Sequence, residues 1–181
     1  MCVLISLDQS SCSSSDGGIV KTYLTSCDNI ADITFDANEQ ITGFTMTGTG
    51  LWTEYQYDTD TDQTYYNQEG ERTGNKHVYN QEAFMNFSGL NNEKRLALKA
   101  LTDCCCLVAV HYLSSGLALV QGIEYDANTS SWKTTKKKLK ATGRFNTQTG
   151  ADDDIMGVTL ISQSKCPSNF TTITETALQA L

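Results

Sequence analysis

The residues whose spacing comes nearest to a chemical site are Asp58, Asp60 and Asp62, followed by Glu69. Counting Asp58 as position 1 puts carboxylates at positions 1, 3, 5 and 12, the oxygen-ligand offsets of an EF-hand calcium loop. Gln63 stands where that loop needs a glycine for its sharp turn, and Trp52–Tyr57 before it reads as a strand, not a helix. No resident metal is therefore expected, although these four acids are the nearest approach to a calcium site. In extended chain the three aspartates point to one side. Like charges placed so must face water, a basic partner or the wall of a channel.

The counterpart is Lys136-Lys137-Lys138-Leu139-Lys140, four ammonium groups in five positions. It reads either as a solvated strand edge that blocks strand-to-strand aggregation or as an interface facing an acidic neighbour. Single-stranded nucleic acid would want more charge and more stacking groups than the nearby Arg144 and Phe145. Of the two histidines, His77 begins a predicted strand and His111 lies mid-strand on the side of Leu107 and Ala109, as a core or interface residue would. No Gly-x-Ser-x-Gly elbow occurs, and Gly70 and Gly74 with Lys76 are wrongly spaced for a phosphate loop. Asp152-Asp153-Asp154 falls on a predicted loop. No catalytic residue, cofactor or enzymatic activity is expected.

Seven cysteines stand at 2, 12, 27, 104, 105, 106 and 166, an odd number with three consecutive. Neighbours in a strand face opposite ways, so the triplet makes no routine disulfide ladder, and no Cys/His ligand spacing is present. The expectation is a reducing compartment with cysteine acting as a small buried hydrophobe.

The elements that must position these residues follow from composition and periodicity. The chain has 181 residues, 39% hydrophobic and 19% charged, with net charge −8. That size suits one domain. The acidic balance excludes the basic footprint of a sequence-reading nucleic-acid protein, and the low charge density excludes a coiled coil. Thr and Ser number 24 and 15, which favours pleated, half-buried surfaces and a mainly β chain. The Cys104–Val110 run is too short to span a bilayer, and the first residues lack the charged start of a signal peptide.

Residues 1–18 read as a Ser-rich arm, 19–166 as the β domain and 167–181 as a tail with a short packed helix. Strands are expected at 19–24, 32–36 and 41–46, the last two joined by a turn at 37–40. Strands at 51–57 and 77–87, separated by a polar stretch, predict one long hairpin over 51–87 with an extended tip. Asn91–Asp103 is the one strong helix, with Asn91 as N-cap. Leu96, Ala97, Leu98, Ala100 and Leu101 share its apolar arc; Arg95, Lys99 and Thr102 lie opposite. Residues 105–113 and 117–124 flank Ser114-Ser115-Gly116 as a hairpin covered on both faces. A polar link at 125–135, a basic strand at 136–145 and a strand at 155–161 complete the pattern.

The order of these features resembles a family of small virion proteins of tailed bacteriophages, especially those of Bacteroidetes and the crAss-like phages. The matching residues are Cys2 and Cys12, Gly17–Leu24, Asp28-Asn29-Ile30, Ile41–Met46, Leu90–Leu101, Leu107–Val110, Leu117–Gly122, Gly150–Leu160 and Pro167. They span most of the chain; the triple cysteine and the acidic stretch at 58–75 depart from the pattern. The resemblance implies a tail-tube-like β-sandwich or barrel with one flanking α-helix and an extended hairpin arm. It implies a homo-hexameric or dodecameric ring in the tail or neck, built in the host cytoplasm and carried in the virion. Its partners would be further copies and other phage tail or neck proteins, with DNA passing the lumen as non-specific cargo. Asp58, Asp60, Asp62, Lys136, Lys137, Lys138 and Lys140 would then be candidates for lumen or inter-ring contacts. A second reading is a virion-associated β-sandwich module that binds host carbohydrate or protein through Trp52, Trp132, Tyr55, Tyr57, Tyr65 and Tyr66.

Overall fold

The computed structural model describes residues 18–56, 64–74, 76–88, 91–126, 128–129, 131–134, 140–146 and 155–181. Residues 1–17 of the expected 1–18 arm, Tyr57, Asp58, Asp60, Asp62, Lys136–Lys138 and Asp152–Asp154 lie outside them. The described chain is mainly β with a flanking helix, as its composition and periodicity predict.

Seven strands form one mixed sheet. β1 (Ile19–Ser26) lies between β4 (Thr53–Gln56) and β7 (Leu107–Leu113). Beyond β7 come β8 (Ala118–Gln121), β13 (Asn169–Thr171), β3 (Ile41–Met46) and β2 (Ile30–Phe35). All these pairings are antiparallel except that of β13 with β3. A second sheet orders β11 (Lys140–Asn146), β12 (Ile155–Ser164), β6 (Lys76–Ser88) and β5 (Tyr65–Thr73), all antiparallel. β9 (Ile123–Asp126) and β10 (Ser131–Thr134) make a small separate hairpin.

The two larger sheets face each other. Leu24, Tyr55, Leu107 and Ala109 of the seven-stranded sheet pack with Ala83, Met85, Phe87, Met156, Val158 and Leu160 of the other. α1 (Asn92–Asp103) closes this layer with Ala97, Leu98 and Leu101. Its N-cap is Asn91, whose side chain accepts from the Lys94 N–H at 2.8 Å. Gly143 on β11 lets the helix seat: a Cβ there would lie 1.9 Å from Leu98 Cδ1. Leu96, expected on the buried arc, is instead 40% exposed, because contact with β11 uses a narrower stripe than the whole arc.

The opposite face of the seven-stranded sheet has its own core. Tyr23, Phe44, Val108, Val110 and Val120 pack there with Ile123, Ile173 and Leu178. The segment expected as a tail therefore contributes β13 to the sheet interior and lays α2 (Glu175–Gln179) over its face. Lys21 anchors α2: its ammonium donates to Glu175 at 2.7 Å and lies 3.4 Å from Glu54. The Glu175 hydrogen bond is the chief cause that raises the Lys21 pKa. Gln179 donates to the Tyr23 hydroxyl at 2.9 Å, and burial pushes that phenol up to about 12.

Further expectations need correction. The hairpin over 51–87 does not form as one unit: Thr53–Gln56 pairs with β1, while β6 pairs with Tyr65–Thr73. β5 escapes an apolar-alternation reading because it is an edge strand with one exposed face. Cysteine does not serve only as a packed thiol. Cys27 and Cys106 form a disulfide with Cα atoms 5.5 Å apart, and Cys104 is also disulfide-bonded. The ladder explains the first pair: Ser26 faces Leu107, so residues 27 and 106 are the next two across. The 107–113/118–121 hairpin is buried on both faces as expected, but its second arm ends at Gly122, whose φ of 95° turns the chain into β9.

Candidate assembly surface

The four-stranded sheet buries one face and leaves the other to solvent. β12 shows the alternation: Met156, Val158, Leu160, Ser162 and Ser164 are buried, whereas Ile161 and Gln163 between them are exposed. Rows across the open face are fixed by the register. Lys140, Ile161, Glu82 and Asn67 form one row; Thr142, Thr159, Phe84 and Tyr65 form the next. Tyr65 stacks on Phe84 with centroids 5.5 Å apart and donates to Glu82 at 2.5 Å. That bond, made by the neutral phenol, raises the Tyr65 pKa. Gln163 donates to Asn80 at 2.8 Å. Apart from Val78, Ile161 and the Tyr65–Phe84 pair the face is polar; Ile161 and Tyr65 are 43% and 44% exposed.

Both edges of this sheet lack a strand partner among the described residues. β5 offers nine residues of unpaired edge, and such an edge templates pairing with another chain. The β5–β6 hairpin also overruns its neighbour. β12 ends opposite Tyr79, so Glu71–Thr73 and Lys76–Val78 extend past it and turn back at Gly74, φ 63°. This shorter arm replaces the expected 51–87 hairpin.

The register places two of the sequence-predicted residues. Glu69 and Lys140 lie on the same open face but at opposite edges, β5 and β11, and both are exposed. Glu71 extends the acidic edge on that face; Arg72 alternates to the other side and donates to the Gly74 carbonyl at 3.2 Å. Glu69 is thus a strand residue opposite Asn80, unlike the twelfth ligand of a calcium loop, which begins a helix. Among the described residues no group of three His, Cys, Asp or Glu side chains is gathered for a metal. No described helix is long and apolar enough to cross a membrane.

His111 sits where its neighbours predict, fully buried between the sheets. Gln121 Nε2 donates to Ser162 Oγ at 3.0 Å and to the Gln81 and Leu160 carbonyls at 3.2 and 3.3 Å. Gln121 Oε1 is therefore the acceptor for His111 Nε2–H at 3.1 Å, which leaves Nδ1 to accept from the Thr22 hydroxyl at 2.7 Å. Ser162 donates onward to Gln81 Oε1 at 2.8 Å. Burial drives the His111 pKa down to about 4. With both nitrogens engaged and no solvent contact, this imidazole ties one sheet to the other. A single-residue reading finds the histidine but not the relay, because Thr22, Gln81, Gln121 and Ser162 are scattered along the chain.

No protein-family model, curated protein or solved structure matches the chain.

Proposed function

We propose that this protein is a structural component of a phage virion that assembles with copies of itself into a ring or tube of the tail or neck, through which DNA passes. The observation that carries the reading is the pair of unpaired edges on the four-stranded sheet. One carries Glu69 and Glu71, and the other begins at Lys140, which only Leu139 separates from Lys136–Lys138 in sequence. Opposite charges on opposite edges suit a head-to-tail contact, in which edge β5 of one copy meets edge β11 of the next. Such a contact repeats until the rotation closes, and closure removes both edges. A net charge of −8 also keeps phosphates from adhering, the reverse of counterion-release binding. Assembly in a reducing host cytoplasm would begin with thiols at Cys27 and Cys106, and their disulfide would belong to the released particle.

The test is negative-stain imaging and mass photometry of the purified protein over a rising concentration series. Rings or tubes of uniform diameter are expected. Monomers that stay monodisperse at high concentration would overturn the reading.

A further inference from the structure

A pocket of about 330 Å³ opens where the β2–β3 turn, the β9–β10 hairpin and the segment leading into β13 meet. Its walls are held in place. Asp36 Oδ1 accepts from the Asn38 and Gln40 N–H groups at 2.9 and 2.8 Å and so fixes the turn. Glu39 within it has φ 62°, the left-handed region a non-glycine residue enters only when its surroundings hold it there. Asn169 Nδ2 supplies such a restraint by donating to the Glu39 carbonyl at 2.7 Å. On the other wall the Ser168 N–H donates to Gln68 at 2.8 Å.

The lining has a particular chemistry. Of six large hydrophobic side chains exposed among the described residues, Tyr125 and Phe170 both sit here, 37% and 45% exposed. Trp132 lies edge-on to Tyr125, centroids 5.6 Å apart, with Phe35 stacked on it at 5.4 Å. Asn169 is buried, and its Oδ1 has no hydrogen-bond partner among the described residues. The polar part of the lining is mostly neutral: the amides of Asn38 and Gln40 and the hydroxyl of Ser168 can exchange hydrogen bonds with a polyol. Glu39 and Glu124 set the sign of the field. After burial itself, they are the next causes that raise the pKa of the half-buried Cys166 thiol on the same wall. Anions are disfavoured there, and the thiol stays protonated.

We infer that this pocket binds one neutral pyranose ring of a glycan, its C–H face against Tyr125 and Phe170 and its hydroxyls toward Asn38, Gln40 and Ser168 on the same lining. The volume, near the lower end of the roughly 300–1,000 Å³ typical of ligand sites, admits a single ring and not a long chain. Aromatic surface beside neutral amides and a hydroxyl suits an uncharged polyol better than a phosphate or a uronate. Its lining contains no residue of β5 or β11, so the test below reads the ring and not the assembly.

The two free thiols among the described cysteines provide the test. Cys166 lines the pocket, whereas Cys105 is exposed elsewhere. The protein is alkylated with iodoacetamide in the presence of the methyl glycosides of glucose, mannose and galactose, or of N-acetylglucosamine, and each cysteine is followed by peptide mass spectrometry. A single ring is expected to bind with Kd about 1 mM. One of these sugars at about ten times that level should slow Cys166 alkylation about tenfold and leave the Cys105 rate unchanged. Phe170→Ala and Tyr125→Ala, both of exposed side chains, should each reduce the protection to under about twofold. No protection by any sugar, or protection that persists in both variants, overturns the assignment. Stronger protection by cationic glucosamine than by N-acetylglucosamine overturns it as well, in favour of a cation site.

Discussion

The two large sheets are built from similar strands but handle their faces in opposite ways. The seven-stranded sheet is covered twice: by the second sheet and α1 on one side, by β9–β10 and the C-terminal segment on the other. β7 shows the consequence in sequence. Leu107, Ala109 and His111 fill one core while Val108 and Val110 fill the other, leaving a nearly unbroken buried run. The four-stranded sheet is covered once, so β12 alternates buried with exposed and β5 is almost wholly polar. The first sheet has the properties of a scaffold. Both sheets end in edge strands without a strand partner among the described residues, but only the second also has an uncovered face beside its edges.

The largest expected effect separates the two faces of a single strand. Phe87 on β6 is fully buried between the sheets and lies edge-on to Tyr55, centroids 6.5 Å apart. Phe87→Ala should destabilise the protein by about 3–5 kcal/mol, measured from the urea midpoint. Phe84, on the open face of the same strand, is half-buried against Tyr65, and its replacement by Ala should remove only about 1 kcal/mol. A Phe84→Ala loss as large as that of Phe87, growing with protein concentration, would mean that the open face is covered in solution.

Next in size is the staple at the end of the covered sheet. Cys27 and Cys106 are 79 residues apart, so their bond removes a long loop's freedom from the unfolded chain, about 4 kcal/mol in the loop-entropy account. The double variant Cys27→Ser, Cys106→Ser should lower stability by about that amount, measured by guanidinium denaturation without reductant so that the Cys104 bond is left intact. A loss below about 1 kcal/mol would show that the paired strands hold this end without it.

Stability should also fall in acid through the inter-sheet relay. The unfolded imidazole titrates near 6.5, and the buried one near 4, so the unfolded chain takes up the proton first. The contribution is whole above pH 6.5, declines as pH falls from there, and is lost by pH 4. The difference sets a ceiling of roughly 3 kcal/mol. Unfolding free energies measured at intervals across that window should trace this decline, and His111→Gln should flatten it.

Much of the scaffold was legible because periodicity reports burial directly. The turn at 37–40, the helix after Asn91 and the 107–121 hairpin all carry local signals: an Asx residue, an N-cap with a helical apolar arc, and Ser-Ser-Gly between apolar runs. The open sheet was harder for the same reason. β5, with Asn67, Glu69 and Glu71 exposed, has the composition of a loop, so periodicity misses its pairing with β6 and offers β4 as the partner instead. The disulfide and the relay depend on register between distant strands, which no short window contains. The corner pocket is half legible: Trp132 is one of the aromatics that the sequence offers for a binding module. Asn169 gives no such signal, because its exceptional feature is an unsatisfied oxygen that exists only in the folded chain.

The smallest expected change in the monomer's own stability carries the sharpest consequence for the comparison. Lys140 is exposed at the first position of β11, so Lys140→Glu should shift folding stability by no more than about 0.5 kcal/mol. In a head-to-tail contact the same change puts a carboxylate opposite Glu69 and Glu71 of the next copy. One exposed ion pair is worth at most about 1 kcal/mol. A ring repeats the contact at every interface, however, and reversal turns each attraction into a repulsion. Mass photometry should therefore show the variant losing its assemblies while its urea midpoint stays put. Two further results would tie the loss to the edges: Glu69→Lys and Glu71→Lys in the same chain should restore assembly, and salt should partly rescue the single variant as the Debye length shrinks from about 8 Å toward 3 Å. Assemblies unchanged by Lys140→Glu would place the contact elsewhere and leave the open edges without a role.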